Sequence, residues 1–316
     1  MQIAAAPSSQ HTNSDITVII LTYNEQLHIR RAIESVRNIA QSILVIDSYS
    51  TDDTVAIAHD AGAEVVQHAF VNQSAQFNWG LDNLNIGTAW VLRLDADEVI
   101  ESDLASEINQ KLPLLPSDIV GVNFDRKHIF MGKWIRHGAR YPLRMLRLWR
   151  TGKGRVEDRW MDEHVHVWDG RTITFKGGFE DRNENGLSFF IAKHNGYATR
   201  EAIDVLINRY NLSPSRQRKF HIAARQAKIK RWIKEHIYNH LPLWAGPFAY
   251  FLYRYVIRMG FLDGKEGTIY HLLQGFWYRY LVACKIYEFE MELTRCRTTD
   301  DKRSALENLT GYKLET

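Results

Sequence analysis

Short apolar runs alternate with helix-like segments along the first third of the chain, and this alternation constrains the fold more than any other feature. Four runs are rich in aliphatic and β-branched residues, as strands buried on both faces are, and they cover residues 16–21, 42–46, 63–67 and 89–94. Segments with helical patterning lie after them at residues 26–39, 51–61, 72–84 and 102–112. A strand followed by a helix, repeated, predicts an α/β fold with a mostly parallel, doubly wound sheet.

The second half of the chain has a different pattern. Residues 119–130 and 143–149 are predicted strands, and from Leu187 onward the pattern is almost wholly helical. We therefore predict a disordered lead-in over residues 1–14, an α/β domain over 15–195 and a helical, basic and aromatic region over 196–316. With 316 residues, 45% of them hydrophobic and 24% charged, the chain has an ordinary globular composition.

Charge and cysteine content exclude several classes of protein. The net charge of +3 is too small to indicate nucleic acid binding. No uninterrupted apolar run reaches the roughly 18 residues that a membrane-spanning helix needs. The two cysteines, Cys284 and Cys296, have neither zinc-site nor disulfide-framework spacing, which indicates a reducing compartment.

Polar side chains follow the ends of three predicted strands. Asp95 and Asp97 come directly after the run 89–94, Asp47 follows the run 42–46, and residues 22–25 follow the first strand. The carboxyl edge of a parallel sheet is where open α/β folds bind ligands. Carboxylate oxygens suit hard divalent cations, and a nucleotide diphosphate supplies further oxygens. Isolated Asp-x-Asp triplets are often only solvated loop carboxylates, and Asn24 and Glu25 are equally interpretable as caps of the next helix.

A further acidic segment lies in the second half of the chain. Asp162 and Glu163 stand beside His164, with His166 two residues later. This spacing does not match a standard zinc site. A carboxylate that acts as a general base is the more economical interpretation, and a polar loop is the alternative.

Three segments together resemble the family 2 glycosyltransferases. They read VIILTYNE from Val18, VIDSYSTDDT from Val45 and LDADE from Leu94. The resemblance implies the nucleotide-diphospho-sugar transferase fold called GT-A, with a mostly parallel, Rossmann-like sheet and here a helical C-terminal extension. Weaker matches in the second half of the chain resemble a bacterial subgroup that acts in lipopolysaccharide-core, capsule and exopolysaccharide assembly. They read YPLRMLRLW from Tyr141, MDEHV from Met161 and KHNGYATREA from Lys193.

The resemblance implies a nucleotide pocket after the first two strands. Thr22, Tyr23, Asn24 and Glu25 would line this pocket, and Asp47 would hold the base. The family commonly has an acidic pair after the second strand, whereas here Asp47 is followed by a serine. The donor nucleotide is therefore left open among the UDP, GDP and dTDP types.

The resemblance also implies the residues that carry out transfer. Asp95 would face the sugar or ribose, and Asp97 would bind Mn2+ or Mg2+ through the diphosphate. Glu163 or Asp162 would be the catalytic base, and Glu163 is favoured as part of the more regular Glu-His pair. The implied activity is an inverting, metal-dependent transfer of a sugar to a lipid-linked or cell-envelope glycan acceptor.

The C-terminal region combines cationic and aromatic residues. Residues 216–235 hold eight Lys and Arg side chains with apolar residues near helical spacing, and residues 241–262 are rich in Trp, Tyr and Phe. Such a combination suits the plane of a membrane interface, although helix packing explains the aromatic residues nearly as well. We predict a cytoplasmic enzyme that is peripheral at the inner face of the cell membrane.

Two other functions compete with glycosyl transfer. A nucleotidyltransferase that makes the sugar nucleotide usually has a Gly-rich, basic loop after the first strand, where this chain has Thr22–Glu25. A catalytically inactive nucleotide-sugar-binding scaffold subunit is the other alternative, and intact Asp97 and Glu163 count against it.

Overall fold

The computed structural model describes residues 14–157, 164–212 and 242–314. All of the predicted lead-in except Ser14, the candidate bases Asp162 and Glu163, and the basic segment 216–235 therefore lie outside the described residues. The chain divides into two units. The first holds described residues up to 134 and from 140 to 184, and the second holds 135–139 and those from 185 onward.

The first unit contains most of the predicted α/β elements close to their predicted positions. In chain order its elements are β1 Ile16–Thr22, α1 Ile29–Val36, β2 Ser42–Asp47, α2 Thr54–Asp60, β3 Glu64–Gln67, α3 Gln73–Asn83, β4 Trp90–Asp95, β5 Glu98–Ile100, α4 Ser102–Lys111, β6 Ile119–Phe130, β7 Lys133–Ile135 (which ends in the second unit), β8 Leu143–Arg150, β9 Gly154–Val156, β10 Val165–Val167 and β11 Arg171–Arg182. A short 3-10 turn over Leu112–Leu114 follows α4.

One mixed sheet forms the centre of this unit. Its strand order is β3-β2-β1-β4-β8-β6-β11-β5, with β7 paired to β6. The strands β3, β2, β1 and β4 are mutually parallel, as the sequence predicted. The strand β8 runs antiparallel to both β4 and β6, so the second half of the sheet is mixed.

Helices cover both faces of the parallel half because its strands are apolar on both sides. Val18, Ile20 and Leu92 pack on one face with Ile33 of α1, whereas Ile19, Val91 and Ile46 pack with α3 on the other. Each fully buried Ile or Leu side chain contributes about 1.5–3 kcal/mol of transfer free energy. The sequence Ser-Thr-Asp-Asp over residues 50–53 predicts a capping box for α2. The box does not form, since Asp53 makes no side-chain cap and Asp52 bonds the backbone N–H of Thr54 instead.

The second unit is helical in the part that the structure describes, as predicted from residue 187 onward. Its helices are α5 Leu187–Tyr210, α6 Ala245–Leu252, α7 Gly264–Tyr270, α8 Tyr278–Leu293 and α9 Thr299–Thr310. Turns of π-helix cover Tyr253–Ile257 and His271–Trp277, and a 3-10 turn covers Gly260–Asp263. The predicted boundary near residue 195 falls inside α5, whereas the division lies between residues 184 and 185.

Apolar packing joins the helices of the second unit. Ile203 and Leu206 of α5 pack against Phe289 and Leu293 of α8. The segment 135–139 belongs to this unit through buried polar contacts. Gly138 has a φ of 67°, and a Cβ there would lie 2.1 Å from the His271 ring, so the position requires glycine. None of the described helices is long and apolar enough to cross a membrane.

Candidate functional site

The candidate site lies in the first unit, where the parallel register brings three strand ends level. Thr22 of β1 pairs with Asp47 of β2, and Leu21 pairs with Asp95 of β4. The central strand β1 is thus flanked by one aspartate on each side. The structure therefore brings together Thr22, Asp47 and Asp95, three of the residues that the sequence predicted at one sheet edge.

The loops after β1 and β2 are joined to each other by hydrogen bonds. The Asn24 backbone N–H donates to Ser50 Oγ at 2.9 Å, and Asn24 Oδ1 accepts from the Thr51 N–H at 2.8 Å. Asn24 has a φ of 53°, a left-handed conformation that Asn tolerates better than most residues. These bonds hold the two loops as one rigid edge.

Glu25 is fixed by a buried histidine. His28 Nε2 accepts the Glu184 backbone N–H at 2.9 Å, which leaves Nδ1 as the protonated nitrogen that contacts Glu25 Oε2 at 2.6 Å. The Glu25 backbone N–H donates to Thr54 Oγ1 at 2.8 Å. Glu25 therefore anchors the loop that carries Tyr23 and Asn24, and helix α1 begins only after these anchors.

Asp47 is fully buried and hydrogen-bonded at both oxygens. Its Oδ2 accepts from the Ser50 N–H at 2.9 Å and from Gln67 Nε2 at 3.0 Å, and its Oδ1 accepts from Ser50 Oγ. In this arrangement the carboxylate shapes the β2–α2 loop. Oδ1 has one acceptor site left, but the side chain is fully buried, so a direct bond from Asp47 to a base requires the residues that cover it to move.

Exposed aromatic rings stand just beyond the strand ends. Tyr23 and Tyr49 are each 56% exposed, and Tyr49 has a φ of 62°. Thr22 is buried, and its Oγ1 has no hydrogen-bond partner within the described part of the chain. Of the predicted nucleotide-binding residues, Tyr23 is thus open to a ligand, whereas Thr22 lies in the floor of the site.

Asp95 lies between two guanidinium groups. Arg147 Nη2 donates to Asp95 Oδ2 at 3.2 Å, and Arg93 Nε lies 3.5 Å from Asp95 Oδ1. Burial alone would raise the pKa of Asp95, but the positive charges of Arg147 and then Arg93 lower that pKa to about 2. Asp95 is therefore ionised at neutral pH.

A second carboxyl group shares the same arginine. Glu98 is 1% exposed, bonds Arg147 through Oε1, and accepts the Asp95 backbone N–H through Oε2 at 2.9 Å. Burial raises the pKa of Glu98 to about 8. The positive charge of Arg147 opposes this rise, and the negative charge of Asp95 adds to it. Because Asp95 already carries a negative charge beside Arg147, the buried Glu98 favours its neutral form.

A β-bulge aims Arg147 at this pair. Along β6 and β8, Val122 pairs with Leu148 and Asn123 pairs with Leu146, so Arg147 is the extra residue. Bulges turn side chains away from simple alternation and are frequent beside active sites. From the sequence alone, Arg144 and Arg147 are predicted either to contact phosphates or to lie on a solvated strand face. Arg147 is instead 3% exposed and bonded to carboxylates.

Asp97 is half-buried at the start of the turn into β5. Its Oδ2 accepts from Asn183 Nδ2 at 3.0 Å, and its backbone C=O accepts from the Arg182 N–H at 2.9 Å. Within residues 14–157, 164–212 and 242–314, no group of three or more His, Cys, Asp or Glu side chains is arranged to hold a metal ion. Asp97 fits a hard cation whose remaining oxygen ligands come from a substrate.

Residues near the candidate bases are placed, although Asp162 and Glu163 themselves lie outside the described residues. The Glu157 backbone N–H donates to the His164 C=O at 2.8 Å, which brings the two ends of that segment together. His164 is exposed, and His166 Nε2 lies 3.5 Å from Glu157 Oε2. The role of Glu163 or Asp162 as base stays a prediction.

Sequence reasoning assigned no role to Glu98, Arg93 or Gln67, although all three support the predicted aspartates. From the helical pattern of residues 72–84, Gln76 is predicted either to contact donor or acceptor or to lie on the solvated side of α3, and the second of these predictions is wrong. It is buried, with Nε2 bonded to Ser48 Oγ at 3.2 Å and Oε1 2.7 Å from His68 Nδ1. The available signal was charge within a buried strand, since Arg93 interrupts the apolar run of β4.

Comparisons with known proteins find several similar chains. An uncharacterized glycosyltransferase of Rickettsia typhi is 25% identical over 297 residues, 90% of this chain and 91% of the relative. One of Rickettsia conorii is 43% identical over 93 residues, 29% of this chain and 32% of the relative. Among solved structures, Mycobacterium tuberculosis glucosyl-3-phosphoglycerate synthase with Mn2+ and UDP matches at 20% identity and a TM-score of 0.30. That match covers 40% of this chain and 50% of the other.

The model of the family described as glycosyl transferase family 2 matches residues 17–182, more than half of the 316 residues. The match covers β2, β4 and all of β1 except Ile16, and it includes the candidate site residues named above except Asn183 and Glu184. The chain is therefore a glycosyltransferase that belongs to glycosyl transferase family 2, with the GT-A fold that its sequence predicted.

Proposed function

We propose that this enzyme is an inverting, metal-dependent glycosyltransferase that uses a nucleotide-sugar donor of the UDP, GDP or dTDP type. The observation that carries the proposal is the position of Asp95 and Asp97 at the end of β4, level with the ends of β1 and β2. Ligands of open α/β sheets bind at this edge. The ionised Asp95 and the exposed Tyr23 offer a hydrogen-bond acceptor and a ring to a sugar nucleotide.

Each candidate residue has a distinct role in this mechanism. Asp97 would hold Mn2+ or Mg2+ together with the diphosphate, and the metal would neutralise charge on that leaving group. Glu163, or alternatively Asp162, accepts the proton of the acceptor hydroxyl. The acceptor oxygen then bonds the anomeric carbon as the bond to the diphosphate oxygen breaks, so the nucleoside diphosphate leaves and the anomeric centre inverts.

The acceptor in this proposal is a lipid-linked or cell-envelope glycan of the lipopolysaccharide-core or exopolysaccharide type. The motifs of the second half of the chain support this assignment, as does a surface of the second unit. Exposed large apolar side chains concentrate over residues 243–262, and they include Trp244, Phe248, Val256, Ile257, Met259, Phe261 and Leu262. We call these side chains the apolar surface.

Charge supports a membrane as the partner of the apolar surface. Over residues 242–265 the exposed charged side chains, Arg258 and Lys265, are both cationic, while Asp263 is buried. Apolar side chains with cations beside them suit an anionic bilayer interface. The proposed location is therefore the inner face of the cell membrane, on the cytoplasmic side.

Vesicle sedimentation tests the membrane assignment. Ile257→Ser and Phe261→Ser should each reduce binding to phosphatidylglycerol vesicles, because Ile257 is 69% exposed and Phe261 47%. Leu114→Ser is the matched control, since Leu114 is 81% exposed but belongs to the first unit and is not part of the apolar surface. Equal binding by all three variants would contradict the assignment.

Thermal stability against nucleotide sugars tests the donor site. A ligand that binds the folded state raises the melting temperature by mass action. We expect one nucleotide type to raise it, and Mn2+ to strengthen the shift. Asp97→Asn should abolish the effect of Mn2+ and sugar transfer. Asp15→Asn, at the opposite end of β1, should change neither. Full transfer by Asp97→Asn would refute the metal assignment.

A further inference from the structure

A cavity of about 200 Å³ lies in the first unit beside the Asp95 cluster. Its polar lining consists of Arg93, Arg144 and Arg147 with Asn123 and His164, and among the described residues that line it there is no carboxylate. Drug-sized ligands occupy about 300–1,000 Å³, and a liquid water occupies about 30 Å³. The cavity thus has room for a small charged group and a few waters, and not for a whole sugar nucleotide.

Two of these arginines are buried and have unused donors. Arg147 is 3% and Arg93 5% exposed. Arg147 directs Nη2 at Asp95 and Glu98, while its Nε has no hydrogen-bond partner in the described part of the chain. Arg93 Nε lies 3.5 Å from Asp95 Oδ1 as an ion pair but makes no hydrogen bond within the described residues. Buried donors almost always have partners in folded proteins, so unused ones call for an acceptor.

The third arginine completes a cationic lining. Arg144 has a half-exposed side chain whose Nε lies 3.4 Å from Asp125 Oδ1, a distance that leaves the guanidinium weakly held. Guanidinium groups present paired donors that match the oxygens of phosphate and carboxylate. Asn123 also lines the cavity and donates its Nδ2 to the Ile173 C=O at 2.8 Å.

We propose that this cavity binds a phosphate or carboxylate group of a substrate. The inference rests on the proposed function in one respect, namely that Asp95 marks the donor site next to it. The anion belongs either to the donor diphosphate or to an anionic substituent of the acceptor. Arg147 links the two places, since it lines the cavity and bonds Asp95.

Inorganic phosphate and pyrophosphate are the probes for the test. Binding is measured by calorimetry and thermal shift at constant ionic strength. Arg144→Gln should weaken phosphate binding by about tenfold, the loss expected for one charged hydrogen bond. Arg155→Gln is the matched control, because Arg155 is similarly exposed and paired with Asp82 but does not line the cavity. Absence of phosphate binding, or equal binding by Arg144→Gln and wild type, would overturn the proposal.

Competition identifies the source of the anion. If saturating nucleoside diphosphate displaces phosphate, the cavity holds the donor diphosphate. If phosphate still binds beside the nucleotide, the cavity serves an anionic acceptor. Asp97→Asn separates this inference from the proposed function, because it should remove the Mn2+ effect on nucleotide binding and leave phosphate binding unchanged. Loss of phosphate binding in Asp97→Asn together with normal binding in Arg144→Gln would place the anion at the metal site instead.

Discussion

Replacement of Arg147 by methionine tests whether one buried cation organises the sheet edge. Arg147 bonds both Asp95 and Glu98 and is 3% exposed. Methionine retains much of the apolar stem but removes the charge and the donors. The variant therefore leaves two carboxyl groups together without their shared arginine, while most of the packing against Phe179, whose ring lies 5.5 Å from the guanidinium carbon, is retained.

The contacts of Arg147 give the expected decrease in the free energy of unfolding. Removal of one partner of a buried ion pair costs about 3–5 kcal/mol. Two features reduce that cost here. Arg93 still lies 3.5 Å from Asp95, and Glu98 can remain protonated because burial raises its pKa to about 8. We therefore expect a loss of about 2–3 kcal/mol, which lowers the melting temperature by roughly 4–12 °C in a domain of 150–250 residues.

The dependence on pH has a definite sign. Glu98 has a pKa of about 8 in the folded protein against an ordinary 4.5, so the folded state binds more protons between these values. Stability from this group therefore falls as pH rises through that window and levels above about pH 8. Without Arg147 the pKa of Glu98 rises further, so the stability of Arg147→Met should continue to fall above pH 8.

Urea unfolding of four proteins between pH 5 and pH 9 measures these effects. They are the wild type, Arg147→Met, Glu98→Gln and the double variant. The double variant should lose the extra slope above pH 8, because glutamine does not ionise. A loss below about 1 kcal/mol in Arg147→Met would refute the buried cluster, as would parallel pH profiles for wild type and Glu98→Gln.

Three further predictions follow from single contacts. Gly80→Ala should cost about 1–3 kcal/mol in urea unfolding, because its Cβ would lie 2.3 Å from Ile46 Cδ1. Ile46→Val removes that atom and should restore most of the loss, and no rescue would contradict the contact. Asn24→Ala should be about 1 kcal/mol less stable than Asn24→Gly, because residue 24 has a φ of 53°; equal midpoints would argue against this conformation. Asp95 has a pKa lowered to about 2, so its stabilising contribution is present above about pH 4 and is lost toward pH 2, and Asp95→Asn should lack that acid transition in thermal unfolding.

The parallel half of the sheet was predictable because its strands are apolar on both faces. The predicted runs 16–21, 42–46 and 89–94 correspond to Ile16–Thr22, Ser42–Asp47 and Trp90–Asp95. Once those strands are parallel neighbours, the residues after them must meet at one edge. The positions of the motifs along the chain were therefore enough to predict which edge of the sheet holds the site, without knowledge of tertiary contacts.

The contacts within the site were not predictable from local patterns. Alternation along β8 assigns each residue to a face, but the bulge at Arg147 breaks that period, and a bulge depends on pairing with β6. Predicted helix 26–39 is only Ile29–Val36 in the structure, because Glu25 and His28 are held by long-range bonds to Thr54 and Glu184. Tertiary partners therefore decided what the local sequence left open.

The surroundings of Asp95 and Asp97 predict different roles for the two aspartates. The charge of Asp95 is already balanced by Arg147 and Arg93, so a metal there would compete with fixed cations, whereas sugar or ribose hydroxyls need only an acceptor. Asp97 bonds the neutral amide of Asn183 and suits a cation better. In nucleotide binding with varied Mn2+, Asp97→Asn should lose the metal dependence. Asp95→Asn should weaken binding and keep that dependence. The reverse result would show that Asp95, despite its arginines, is the metal ligand.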